Sequence, residues 1–127
     1  MKKILIVEDD LDDQFNFKEA INDLGAEMQY QIANNGHEAF EFLEKTPAVD
    51  IIFLDLNMPL LDGFETLRTL KQTEKYWDIP VYILSTSNNK GDISLCNSLG
   101  AKEFVTKPSS FKEFRDWLRK VLMPVSV

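Results

Sequence analysis

The chain has 127 residues, of which 44% are apolar and 28% are charged. This length and composition predict one globular domain with a hydrophobic core, and they exclude a disordered or fibrous protein. The net charge of −7 argues against a surface that binds nucleic acid, because phosphate contacts need clustered Lys and Arg.

Five strand patterns alternate with five helical patterns along the chain. The strands are predicted at KILIV (3–7), QYQIA (29–33), DIIFL (50–54), VYIL (81–84) and EFVT (103–106). The helices are predicted around the apolar stripes Phe17 to Leu24, Ala39 to Leu43 and Phe64 to Leu70, then from Lys90 to Leu99 and from Phe111 to Val121. Gly25 and Gly100 are placed to end the first and fourth helices, and Ser110 is placed to cap the fifth.

The alternation of strands and helices predicts the fold class. Strands that alternate with helices form a parallel sheet with helices on both faces. Strands one, three and four are continuous apolar runs, as expected for strands that are buried on both sides. We therefore predict an α/β fold, a doubly wound parallel sheet of five strands. Because no linker or internal repeat divides the chain, a single domain over residues 1–127 is expected.

Polar side chains follow four of the predicted strands. They are Glu8 and Asp9 after the first strand, Asp55 after the third, Ser85 after the fourth and Lys107 after the fifth. Because parallel strands end at the same edge of a sheet, we expect three carboxylates, a hydroxyl and an ammonium group to meet there. Each residue alone has an ordinary explanation as a helix cap, a turn residue or a solvated cation. Their combination at corresponding strand ends favours a functional site.

The chemistry of this edge favours a hard divalent cation. Three adjacent carboxylates repel one another, so the pKa of at least one should rise unless a cation compensates. Mg²⁺ takes one or two carboxylates, waters and a phosphate oxygen, which matches these residues. Zinc is not predicted, since the chain has one Cys and one His, His37. The segment DDLDDQ (9–14) lacks the glycine and the later bidentate Glu that a calcium loop needs. Its acids Asp10, Asp12 and Asp13 are predicted to stabilise the first helix.

With these residues in place, the chain closely resembles the receiver domain of bacterial two-component response regulators, especially the single-domain kind. The resemblance rests on ILIVEDD, DIIFLDLNMPLLDG, PVYILSTS and EFVTKP, which stand in the family's order and at about its spacing. It covers nearly the whole chain and implies the flavodoxin-like strand order 2-1-3-4-5, with no output domain. The segment ILIVEDDLDD is also similar to regulators that work with phytochrome-type kinases.

The resemblance implies a role for each polar residue. Asp55 is the implied acceptor of a phosphoryl group from a sensor histidine kinase or a phosphotransfer protein, in a Mg²⁺-dependent reaction. Lys107 and Ser85 are implied to contact the transferred group. The implied metal ligands are Glu8, Asp9, Asp55 and the backbone carbonyl of Asn57. The Lys107–Pro108 bond also matches a cis peptide bond of the family.

The resemblance further implies a conformational switch with a protein as its target. In the family, a hydroxyl residue and an aromatic residue move on phosphorylation and reshape the surface of the fourth helix, fifth strand and fifth helix. Ser85 and Phe104 occupy these positions, where threonine is usual and tyrosine is frequent. Asn57 and Ser87 occupy the positions at which the family tunes hydrolysis of the phosphoryl group. The sequence leaves a homodimer through this surface, or through its edge, open.

The implied class is a signalling receiver and not an enzyme, although it assists its own phosphorylation and dephosphorylation. Two alternatives stay open. An aspartate phosphohydrolase that depends on Mg²⁺ needs a second acid two residues after the nucleophile, where this chain has Asn57. A pseudo-receiver or flavodoxin-like binding module would keep the fold without the chemistry, and the intact set of polar residues argues against it.

Localisation is predicted from two absences in the sequence. No apolar run approaches the roughly 18 residues that span a membrane. The start MKKILIVEDD has only ILIV between its lysines and its acids, which is too short for a secretory signal. The sequence therefore predicts a cytoplasmic protein that contacts no membrane.

Overall fold

The sheet consists of five parallel strands, and each lies where the sequence predicts it. The computed structural model describes residues 2–25 and 28–123. The strands are β1 (Lys2–Val7), β2 (Met28–Ala33), β3 (Ile51–Asp55), β4 (Val81–Ser85) and β5 (Glu103–Thr106). The helices are α1 (Leu11–Leu24), α2 (Gly36–Lys45), α3 (Asp62–Gln72), α4 (Lys90–Ser98) and α5 (Phe111–Leu122). The strand order β2-β1-β3-β4-β5 confirms the doubly wound α/β fold.

Polar caps and positive-φ glycines set the helix ends. The side chain of Asp10 accepts the backbone N–H of Asp13 at the start of α1, and Ser110 does the same for Glu113 at the start of α5. Gly25 and Gly100 follow α1 and α4 with φ of 128° and 101°, a region that side chains disfavour. None of the helices in the described residues is long and apolar enough to cross a membrane.

The core consists of two apolar layers, one on each face of the sheet. Alternate residues of β1 point to opposite layers, so that Leu5 packs with α2, α3 and α4 while Ile6 packs with α1 and α5. All five residues of β3 are buried. Phe53 at its centre contacts the rings of Phe17 and Trp117, with centroids 5.6 and 5.7 Å away. β3 is therefore fixed from both sides.

The register of the strands brings their carboxyl ends to one edge. Val7 pairs with Leu54, and Asp55 pairs with Leu84. Beyond the last pairs, the N–H of Lys107 donates to the carbonyl of Ser85 at 2.7 Å. The polar residues after β1, β3, β4 and β5 consequently start from nearly the same level of the sheet.

The Lys107–Pro108 bond, whose isomer the sequence leaves open, differs from the cis bond of the family. The described part of the chain has no cis peptide bond, so the Lys107–Pro108 bond is trans. An X–Pro bond prefers the trans form by about 0.5–1 kcal/mol unless its surroundings impose the cis form. The presence of Lys-Pro in the sequence therefore did not determine the isomer.

We predict that Gly63→Ala destabilises the protein by about 1–3 kcal/mol. A Cβ at this position would lie 2.8 Å from the backbone oxygen of Asp55 and 2.9 Å from Cα of Leu56, and neither backbone atom can move freely. Urea unfolding of the variant measures the loss. Gly91→Ala is the matched control, because its Cβ would meet only the side chain of Asn89 at 3.0 Å. Equal stability of the two variants would contradict the prediction.

Candidate functional site

The three predicted carboxylates meet at the edge of the sheet. Glu8 and Asp9 follow β1 and Asp55 ends β3, and each offers an oxygen such that the three lie within 4.8 Å of one another. Asp55 is only 3% exposed, and Glu8 is buried as well, whereas Asp9 is exposed. The cluster therefore has two buried members and one that faces solvent.

Lys107 reaches this cluster from the segment after β5. Its Nζ lies 3.2 Å from Oδ1 of Asp55 and 3.5 Å from Oε1 of Glu8. The sequence predicted this meeting of ammonium and carboxylates, and the structure brings the groups together. The remaining predicted side chain, Ser85, ends β4 one residue beyond the partner of Asp55 and is buried.

A fourth acid, Asp13, joins the cluster, although the sequence predicts for it only a role in stabilising the first helix. Oδ2 of Asp13 lies 2.7 Å from Nζ of Lys107, the shortest contact of that ammonium. Asp13 lies four residues before Phe17, the first buried apolar residue of α1. The signal in the sequence was an acid in register with this apolar stripe, one turn ahead of it.

Burial and like charge change the protonation of Glu8. Its pKa rises to about 9, first because the carboxyl is buried and then because Asp55 is a hydrogen-bond partner and a neighbouring negative charge. The charge of Lys107 and the N–H of Asp10 act in the opposite direction without prevailing. In the metal-free protein this pKa favours a protonated Glu8 at neutral pH, in agreement with the expectation that one of the three acids has a raised pKa.

Lys107 stays charged. Burial lowers the pKa of its ammonium, but the hydrogen bond to Asp13, the charge that Glu8 carries above its own pKa, and the charges of Asp55 and Asp13 outweigh burial and raise the pKa of Lys107 above its ordinary value. One cation thus faces several acids, and the cluster has an excess of hard oxygen ligands. This set of ligands fits a divalent cation of the magnesium or manganese type.

Backbone and side-chain donors hold the loops around Asp55. Oδ1 of Asp55 accepts the N–H of Asn57 at 2.9 Å. The side-chain oxygen of Asn57 accepts the N–H of Thr86 at 2.7 Å and so ties the loop after β3 to the loop after β4. Oγ of Ser85 accepts the N–H of Ser87 at 3.0 Å, and a hydroxyl that accepts still has its own hydrogen to donate.

Asp62 is a second residue whose role the sequence analysis did not identify. Its carboxylate accepts the N–H of Gly36 at 2.7 Å and so ties the start of α3 to the start of α2. A Cβ at Gly36 would collide with the side chain of Thr66, so the close approach requires glycine. The acid of the LLDG motif therefore anchors the loop that carries Asn57.

Phe104 belongs to the apolar layer of the core. It is half-buried on β5, pairs in register with Ile83, and packs against the layer formed with α2, α3 and α4. This position accounts for a role in the core. Its role as a switch stays a prediction, as does the carbonyl of Asn57 as a metal ligand.

Comparison with known proteins identifies close relatives of the chain. Residues 4–119 match the family model described as "Response regulator receiver domain". Response regulator Rcp1 of Synechocystis sp. is 31% identical, over 98% of this chain and 95% of its own length. The crystal structure of the Mn²⁺-bound form of Rcp1 superposes with a TM-score of 0.88 over 100% of this chain and 99% of its own. The phosphorylated cyanobacterial phytochrome response regulator RcpA gives 0.86 at 28% identity, over 99% and 96%.

We predict that the metal-free protein becomes less stable as the pH rises from 4.5 toward 9. The folded protein keeps the proton of Glu8 over this interval while the unfolded chain loses it, so deprotonation removes folding free energy. Urea unfolding in a chelator, repeated at several pH values, measures the slope.

Glu8→Gln should flatten this slope, because the amide stays neutral at every pH. Glu19→Gln, which replaces an exposed acid on α1, should leave the slope of the wild-type protein unchanged. A Glu8→Gln protein with the wild-type slope would show that Glu8 does not hold the proton.

Proposed function

Because the chain belongs to the response regulator receiver domain family, we propose that it is a phospho-accepting response regulator of two-component signalling. Asp55 receives a phosphoryl group from a sensor histidine kinase or a phosphotransfer protein. The observation that supports this role is the position of Asp55, buried at the end of the central strand within reach of two further acids and of Lys107.

In the proposed reaction, a carboxylate oxygen of Asp55 attacks the phosphorus of a phosphohistidine. The phosphorus–nitrogen bond breaks as the phosphorus–oxygen bond forms, and the imidazole leaves with the electron pair and takes up a proton. The N–H of Asn57 holds the attacking carboxylate by one oxygen, which orients it. The partner supplies the phosphoryl donor, so the protein is a receiver that assists its own phosphorylation and, with water as the attacking group, its dephosphorylation.

The proposed cofactor is Mg²⁺. Glu8, Asp9 and Asp55 would hold it together with the backbone carbonyl of Asn57, and its charge would offset the negative charge of the phosphoryl oxygens. Lys107 would donate to one phosphoryl oxygen and Ser85 to another. Asn57 and Ser87, whose N–H groups donate to Asp55 and Ser85, would set the access of water to the phosphoryl group and hence the rate of hydrolysis.

The proposed output is a change of protein surface. Moving a two-state domain from mostly inactive to mostly active takes about 5.5 kcal/mol, and a charge-assisted hydrogen bond supplies roughly 1.5–3 kcal/mol. Two or three new bonds to the phosphoryl group are therefore sufficient. Ser85 and Phe104 would carry the change to the surface of α4, β5 and α5, where a downstream protein or a second copy of the chain would bind.

The relatives suggest the class of kinase. RcpA is named as a phytochrome response regulator, and we propose a phytochrome-type histidine kinase as the phosphodonor of this chain. Such a pairing implies a cytoplasmic meeting of the two proteins. Transfer from a panel of purified kinases, with the phytochrome-type members compared with the others, tests the pairing.

We predict that Asp55→Asn abolishes phosphorylation by a phosphorylated histidine kinase or by acetyl phosphate. The amide keeps the shape of the side chain but is a far weaker nucleophile. Mass spectrometry of the intact protein, with Mg²⁺ or with a chelator, measures the gain of one phosphoryl group. The wild-type protein should gain it only in the presence of Mg²⁺.

Asp12→Asn is the matched control, since Asp12 is an exposed acid of the nearby helix α1. This variant should be phosphorylated like the wild-type protein. Phosphorylation of Asp55→Asn at the wild-type rate would move the acceptor to another residue and overturn the proposal.

A further inference from the structure

We propose that Asp13 is a positioning residue that holds the ammonium of Lys107 in the unphosphorylated protein and competes with the phosphoryl group for it. This inference rests on the proposed function and deepens it. Asp13 is not one of the residues to which the resemblance implies a role, and the inference rests on its contact with Lys107.

The ammonium of Lys107 has three carboxylate neighbours at different distances. Nζ of Lys107 donates to Oδ2 of Asp13 at 2.7 Å and to Oε1 of Glu8 at 3.5 Å, while Oδ1 of Asp55 lies 3.2 Å away. A charged hydrogen bond of 2.7 Å is near the optimum, and one of 3.5 Å is weak. In the unphosphorylated protein, the main partner of Lys107 is therefore the acid of α1 and not the acceptor aspartate.

The surroundings of Asp13 allow it to release this partner. Its side chain is 33% exposed, whereas that of Glu8 is 2% exposed. A cavity of about 110 Å³ adjoins the ion pair and is lined in part by the polar side chains of Asn16, Ser109 and Ser110. An exposed carboxylate regains water when its partner leaves, so its release is inexpensive in free energy, while a buried carboxylate has no such compensation.

Phosphorylation changes the balance between the two acceptors. A phosphoryl group brings more negative charge and three strong acceptor oxygens to the position of Asp55. The ammonium of Lys107 is then drawn toward the phosphoryl group and its bond to Asp13 weakens. A contact that is stronger in one of two states stabilises that state. Asp13 therefore favours the unphosphorylated protein.

The test compares the affinity of variants for beryllofluoride, a phosphoryl analogue, at saturating Mg²⁺ in a titration followed by amide NMR. Asp13→Asn should bind it roughly three- to tenfold more tightly, as expected for loss of one partly exposed ion pair. Asp12→Asn removes the same charge from the preceding residue and should stay within about twofold of the wild-type protein. Asp13→Glu keeps the carboxylate and should restore most of the wild-type affinity.

A double-mutant cycle assigns the effect to Lys107. Unfolding of the wild-type protein, Asp13→Asn, Lys107→Ala and the double variant, all without beryllofluoride, measures the coupling between the two side chains. The two losses of stability should be less than additive, because either substitution removes the same ion pair. Additive losses would show that the two residues are independent and would overturn the inference.

The outcomes separate this inference from the proposed function. A wild-type protein that neither binds beryllofluoride nor accepts a phosphoryl group contradicts both. A wild-type protein that does both, together with an Asp13→Asn protein that binds beryllofluoride like Asp12→Asn or more weakly than the wild-type protein, contradicts the inference alone. Weaker binding would mean that Asp13 presents Lys107 to the phosphoryl group and does not compete for it.

Discussion

The burial of a carboxylate at the end of the central strand is the constraint on which the rest of the site depends. All residues of β3 are buried, so Asp55 at its end follows an apolar segment and has only 3% of its surface exposed. An isolated buried charge is costly, and it persists only with partners. The N–H of Asn57 and the ammonium of Lys107 are those partners, and Glu8 avoids a second buried charge by keeping its proton. Asn57, Lys107 and Glu8 thus each lower the electrostatic cost of burying the charge of Asp55.

In the metal-free site, the carboxyl groups of Glu8, Asp9 and Asp55 lie close enough to repel one another when ionised, and a bound cation would reduce this repulsion. Fewer positive than negative groups converge at the edge, and burial together with the neighbouring Asp55 raises the pKa of Glu8. A divalent cation would remove the need for the proton and would compensate the charge that phosphorylation adds. The same feature that is predicted to lower the stability of the folded protein at high pH would therefore make the site responsive to a metal and a phosphoryl group. In the proposed role of Asp13, its carboxylate also binds the ammonium of Lys107 in the unphosphorylated protein.

The sequence predicted the features that depend on periodicity and strand order. Continuous apolar runs predicted β1, β3 and β4, and the rule that parallel strands end together predicted the meeting of Asp55 with Lys107. It did not predict the contact of Asp13, because a side chain one turn ahead of an apolar stripe is equally suited to capping, to solvent and to an inward ion pair. The sequence also left the isomer of the bond before Pro108 open, since tertiary contacts and not the dipeptide select it. Asp62 had a visible motif, but its partner Gly36 is distant in sequence.

The convergence of the strand ends around Asp55 can be measured directly with Mn²⁺, a paramagnetic probe for a site of hard oxygen ligands. Substoichiometric Mn²⁺ broadens the amide NMR signals of residues near the ion. The signals of residues 8–10, 55–57 and 107 should broaden first and together, and excess Mg²⁺ should reverse the effect. Broadening centred instead on the exposed acids of α2 or α5, with the signals of residues 55–57 unchanged, would contradict the central claim.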